Sequence, residues 1–128
     1  MTLLHKKTLD GNVDTLLLAV LAEGPSYGYE IIQTLNERAG GLLRMGEGTA
    51  YPVLHRLEDR GLIASRWATG DTGRKRKYYR LTARGKRSLA ANAEQWAGLA
   101  RLMDTILRTG RGIAPAEPAP AETKGAVS

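Results

Sequence analysis

The chain contains no cysteine and two histidines, His5 and His55. Without thiols there can be no disulfide frame, no zinc knuckle and no cysteine nucleophile. With two histidines, the sequence shows no Ser/His/Asp arrangement and no metal-ligand cluster, so a catalytic reading finds no support in it. Long apolar runs are also missing. The longest, Leu16 to Ala22, is far short of the roughly 18 residues a membrane-spanning helix needs. The first residues, Met1-Thr-Leu-Leu-His-Lys-Lys, lack a signal-peptide core, and the expected compartment is the cytoplasm. No long internal repeat is visible. Gly46-Glu-Gly-Thr-Ala-Tyr51 begins like a phosphate-binding glycine loop, but it lacks the third glycine and follows no strand.

What is present is positive charge in one place. Of the 128 residues, 19 are Lys or Arg and 13 are Asp or Glu, a formal net charge of +6. Between Arg56 and Arg87 there are eleven basic residues against three acidic ones, an excess of eight, so the rest of the chain is slightly acidic. Positive charge gathered in a compact segment points to a polyanion, because each neutralised phosphate releases condensed counterions.

The periodicities predict a small helical domain with a hairpin. Val13, Leu16, Leu17, Val20 and Leu21 form one face of a first helix over about 13–23, capped by Asn12 or Asp10 and stopped by Gly24-Pro25. A second helix, about 27–39, has Ser26 as N-cap, the stripe Ile31, Ile32 and Leu35, and Gly40-Gly41 at its end. A third, about 47–60, turns Ala50, Val53, Leu54 and Leu57 inward and Thr49, Pro52, Arg56 and Asp59 outward. Pro52 argues for a later start. The earlier start is favoured, with Gly48 relieving the crowding by the proline ring. Strand alternation follows over 62–68 and 75–81, joined by the turn Thr69-Gly-Asp-Thr-Gly.

After Thr82, a plausible cap, a long helix runs to about Arg108. Leu89, Ala93, Trp96, Ala100, Met103 and Leu107 recur at spacings of 4, 3, 4, 3 and 4, a heptad seam. Leu99, Leu102 and Ile106 widen it beyond what one small domain can cover, which calls for a partner helix from a second copy. The alternative is that the helix folds back on its own core, as its first turns are expected to do. Residues 110–128 are rich in Pro and Ala without periodicity and read as a disordered tail; their P-x-x-P match is too common in such tails to carry weight.

A helix followed by a basic hairpin is the layout of a winged helix-turn-helix. The expected class is mainly α with a small β-hairpin wing. The expected division is 1–82 DNA-binding, 83–109 dimerisation helix and 110–128 tail.

In detail the chain resembles the PadR family of transcriptional regulators. The resemblance is carried by Leu16-Leu-Leu-Ala-Val-Leu-Ala-Glu-Gly-Pro, Tyr27-Gly-Tyr-Glu-Ile, Gly48-Thr-Ala-Tyr-Pro-Val-Leu-His-Arg-Leu-Glu, Gly61-Leu-Ile and Arg76-Lys-Tyr-Tyr-Arg-Leu-Thr-Ala-Arg-Gly. It covers about residues 12 to 87, and the short C-terminal region is similar to the smaller members with a single dimerisation helix. It implies a homodimeric repressor of a palindromic double-stranded operator, without a cofactor and with a small-molecule effector. The sequence departs from the family at Gly46-Glu47, where Ser-Pro is usual. A carboxylate there suits the helix dipole but would repel phosphate.

The second helix of such a motif enters the major groove with its N-terminal residues at base edges. The candidate DNA contacts are Tyr29, by resemblance a backbone contact, then Gly48, Thr49, Tyr51 and Arg56, and on the wing Arg74, Lys75 and Arg76. By strand alternation not all of Arg74, Lys75, Arg76 and Lys77 can face DNA, and Arg74 and Lys75 are favoured at the tip. Tyr51 reads equally as a phosphate donor or a half-buried core ring, and His55 as a surface or packing residue. Trp96 lies on the seam, and by resemblance to small family members it could stack a planar aromatic effector between subunits; plain interface packing is the simpler reading. A winged helix used as a protein adaptor would keep the fold but not require the charge excess. Single-stranded RNA binding would require an exposed aromatic platform.

Overall fold

The computed structural model describes residues 4, 6–9 and 11–109. The Asp10 cap and the 110–128 tail lie outside these residues. The elements are α1 (Lys6–Leu9), α2 (Val13–Leu21), β1 (Ser26–Tyr27), α3 (Gly28–Ala39), α4 (Glu47–Asp59), β2 (Ile63–Thr69), β3 (Lys75–Leu81) and α5 (Ala83–Thr109). The periodicity places the buried faces of α3 and α4; in α2 it misses Leu18, which is fully buried, while Val13 and Leu16 of the expected face are only partly buried. Leu17, Leu18 and Leu21 of α2, Ile31 of α3, Leu54 and Leu57 of α4 and Ile63 of β2 are the large side chains fully withdrawn from solvent.

The sheet has three antiparallel strands in the order β1-β3-β2. Sequence alternation predicts only the hairpin. The third strand is two residues long, Ser26 opposite Tyr79 and Tyr27 opposite Tyr78, too short to show a period. It changes the expected role of Ser26, which is buried in this strand and donates its hydroxyl to the Glu30 carboxylate at 2.7 Å. The residue that opens α3 is Tyr27, in extended conformation and without a side-chain cap. Asn12 holds the N-cap position of α2 but makes no side-chain cap bond; its amide donates instead to the Thr8 carbonyl at 3.1 Å.

Helix α4 starts early, at Glu47, and takes Pro52 into its interior. A Cβ built on Gly48 would meet nothing within 4 Å, so crowding by the proline is not what selects glycine there. Thr82 is a true cap: its Oγ1 accepts from the Gly85 N–H at 3.0 Å. Helix α5 is shared between two compact units, its residues up to Ala93 belonging to the first and those from Glu94 to the second. Among the described residues no helix is long and apolar enough to cross a membrane, and no cluster of His, Asp or Glu could hold a metal.

Candidate nucleic-acid interface

Helix α4 is held at both ends. Ahead of it, Asn36 on α3 clamps the connecting loop: Nδ2 donates to the Met45 carbonyl at 2.9 Å and Oδ1 accepts from the Met45 N–H at 2.7 Å. Both polar backbone groups of a buried residue are thereby satisfied, fixing where α4 begins. Near its far end, Asp14 on α2 accepts from Arg56 at 2.8 Å and from Arg60 at 3.3 Å. Arg56 is exposed, as the spacing predicts, and one nitrogen of its guanidinium is engaged by this carboxylate. Sequence reasoning misses this bridge because its partners lie 42 residues apart.

Ala50, Val53, Leu54 and Leu57 face the core. The solvent side of α4 presents Glu47, Gly48, Thr49, Pro52, His55, Arg56 and Asp59. Thr49 and Gly48 thus stand in the exposed first turn, where a duplex can approach closely.

Beside this helix lies a groove of ≈ 640 Å³ formed by the start of α3, Tyr51 of α4 and the wing. Its floor is tightly packed. A Cβ on Gly28 would fall 2.4 Å from Tyr51 Cε1, so only glycine lets the tyrosine ring lie against the α3 backbone. Burial, then the nearby Glu47 carboxylate, pushes the Tyr51 phenol above its ordinary value. It therefore remains a hydrogen-bond donor at neutral pH. The ring packs against the core, as its reading as a half-buried ring expects, and also lines the groove. Tyr29 lies on the same rim, 51% exposed.

The wing divides its cations by strand alternation. Residues paired directly across an antiparallel ladder share a face. Trp67 therefore stands with Lys77, and Ala68 with Arg76 on the opposite face. The Arg76 guanidinium lies 4.3 Å from the centre of the Tyr27 ring, and that ring meets Tyr78 edge-on at 5.6 Å. Lys77 Nζ sits 3.3 Å from a Glu58 oxygen. Arg74 and Lys75 are exposed and make no ion pair among the described residues. Of the four cations from Arg74 to Lys77, the two free of ion pairs thus lie nearer the tip and the two engaged ones behind it; Arg66 and Arg80, farther along the strands, are exposed and also make no ion pair among the described residues. Trp67, 66% exposed, also lines this groove. Sequence alternation places it on the strand without revealing that it has no cover.

In the second unit, Trp96, Leu99, Leu102, Met103, Ile106 and Leu107 are exposed along α5, Trp96 by 60%; Ala100 is half-buried. Earlier on the helix, Leu89 packs against the core of the first unit while Ala93 is exposed.

Residues 17–91 match the family model described as the transcriptional regulator PadR-like family. The chain is 36% identical over 80 residues to a transcriptional regulator of Mycobacterium tuberculosis, covering 62% of this chain and 71% of that one. It is 33% identical over 73 residues to the negative transcriptional regulator PadR of Bacillus subtilis, covering 57% of this chain and 40% of that protein. A solved structure of a transcriptional regulator from Clostridium thermocellum is similar with a TM-score of 0.72 at 32% identity, over 80% of this chain and 99% of that chain.

Proposed function

The chain belongs to the PadR-like family of transcriptional regulators, and from that premise we propose that it binds a palindromic double-stranded operator as a homodimeric repressor. The observation that carries the reading is the pair of free cations, Arg74 and Lys75, at the mouth of a groove whose other wall adjoins the exposed first turn of α4. Tyr51 and Tyr29 offer hydroxyl donors there. Such contacts position a protein on phosphate, while the α4 first turn, with Gly48 and Thr49, is set to meet base edges. The sign of regulation is supported by the negative regulator of Bacillus subtilis to which the chain is similar.

The uncovered apolar face of α5 supports the dimer, since a single copy would leave it in water. Two reading heads then sit about one helical turn, roughly 34 Å, apart. A small planar aromatic effector stacked on Trp96 would act by favouring one dimer geometry over another, and only by its difference in affinity for the two. Quenching of Trp96 fluorescence in a Trp67→Phe background reports that contact.

The direct test is selection of bound genomic fragments by purified protein, followed by a salt titration on the recovered operator. Neutralising Arg74 and Lys75 together weakens binding to every sequence and lowers the salt slope by about one for each phosphate no longer neutralised. An unchanged slope would remove the wing from the interface; no enriched fragment would remove DNA binding itself.

A further inference from the structure

The carboxylate of Glu47 stands at the leading end of the reading helix. It is the first residue of α4, is exposed, and makes no hydrogen bond or ion pair among the described residues. No cation stands on α4 before Arg56, and Arg56 and Arg60 are both bound to Asp14. The leading half of the helix therefore brings no positive group to a base edge, and its only charge is an acceptor.

From this we infer that Glu47 is a specificity-determining residue that reads cytosine by accepting a hydrogen bond from its 4-amino group in the major groove. The inference rests on the DNA-binding reading above. The chemistry of the groove narrows the choice. Guanine presents N7 and O6 and thymine presents O4, all acceptors that repel a carboxylate. Adenine offers a donor with the N7 acceptor beside it. Cytosine offers a donor alone. A carboxylate near phosphate is costly, and an amino donor within reach offsets that cost at one base and not at others. The same residue that weakens non-specific binding thus sharpens selection. A favourable interaction with the helix dipole also acts on Glu47, but it is independent of the DNA sequence and cannot generate base preference.

The experiment is selection from randomised duplexes by the full chain and by Glu47→Gln and Glu47→Ala, with thermal unfolding of each. The wild type is expected to fix a C·G pair in each half-site, preferred about tenfold over the alternatives. Glu47→Gln should move that position toward adenine, whose N6 and N7 suit a carboxamide. Glu47→Ala should flatten it while leaving the other positions selected. The inference is overturned if Glu47→Ala keeps the same preference at every position. It is equally overturned if both variants bind all duplexes more tightly with preference unchanged, for then the carboxylate only repels phosphate. A wild-type pool with no enrichment overturns the DNA-binding reading itself, and that outcome is visible without either variant.

Discussion

Single side chains decide how α4 and the wing are joined. Glu58, near the end of α4, accepts from the Ser65 hydroxyl on β2 and pairs with Lys77 on β3 at 3.3 Å. The Ser65 hydrogen bond, then Lys77 and His55, hold its carboxyl below the ordinary carboxylate value against an opposing effect of burial. A depressed folded-state pKa means stability that is present above the unfolded value, about 4.3, and lost as pH falls through the folded one. Glu58→Gln should therefore be less stable than wild type at pH 7. The difference should shrink as pH drops below about 5, read as urea midpoints across that range. A gap that stays constant into acid would show that Glu58 does not couple the wing to the helix. Asn36 illustrates what sequence conceals at this scale. Asparagine within a helix reads as a surface residue, yet its amide fixes the Met45 backbone nine positions away. The Asp14 bridge to Arg56 and Arg60 is hidden for the same reason, because no local pattern announces a partner on another helix.

Elements long enough to repeat their period are legible in the chain, and shorter ones are not. Helices α2 to α5 and the two wing strands follow from apolar spacing and from Gly40, Gly61 and Thr82 at their ends. The two-residue strand β1 and the single turn α1 offer no period to find. The first turn of α5 depends on something else again: a close approach of backbones. A Cβ on Gly85 would stand 2.0 Å from the Leu62 carbonyl oxygen, so the helix can begin there only with glycine. The same oxygen accepts from the Thr82 N–H at 3.1 Å, and Thr82 Oγ1 donates to the Gly61 carbonyl at 2.7 Å. The start of α5 is thus fastened to the residues that close α4. Gly85→Ala should destabilise the protein by about 1–3 kcal/mol, the usual cost of forcing atoms into filled space. Gly98→Ala is the control, because a Cβ there meets nothing within 4 Å; it should stabilise by about 0.5–1 kcal/mol through helix propensity. Equal effects at the two positions would mean that the fastening is not rigid.

At the scale of the whole molecule, charge and apolar surface are segregated along the chain. Most of the cations fall between Arg56 and Arg87, whereas most of the exposed large apolar side chains among the described residues, Trp67 apart, lie from Trp96 to Leu107. If the second group joins two copies, the affinity of the first group for DNA depends on it, since linking two reading heads makes the second binding event intramolecular. Such linkage strengthens binding by about 10²–10⁴-fold with no new interaction at either head. Leu102→Glu with Ile106→Glu places carboxylates on the exposed face and leaves the buried core of the first unit untouched. Sedimentation should then show a single chain where the wild type shows two, with helix content retained by circular dichroism. Operator affinity should fall by about the linkage factor, to the level of one half-site. A wild type that sediments as one chain would contradict the dimer. A variant that is monomeric yet binds the full operator as tightly as wild type would show instead that each head reads DNA unaided.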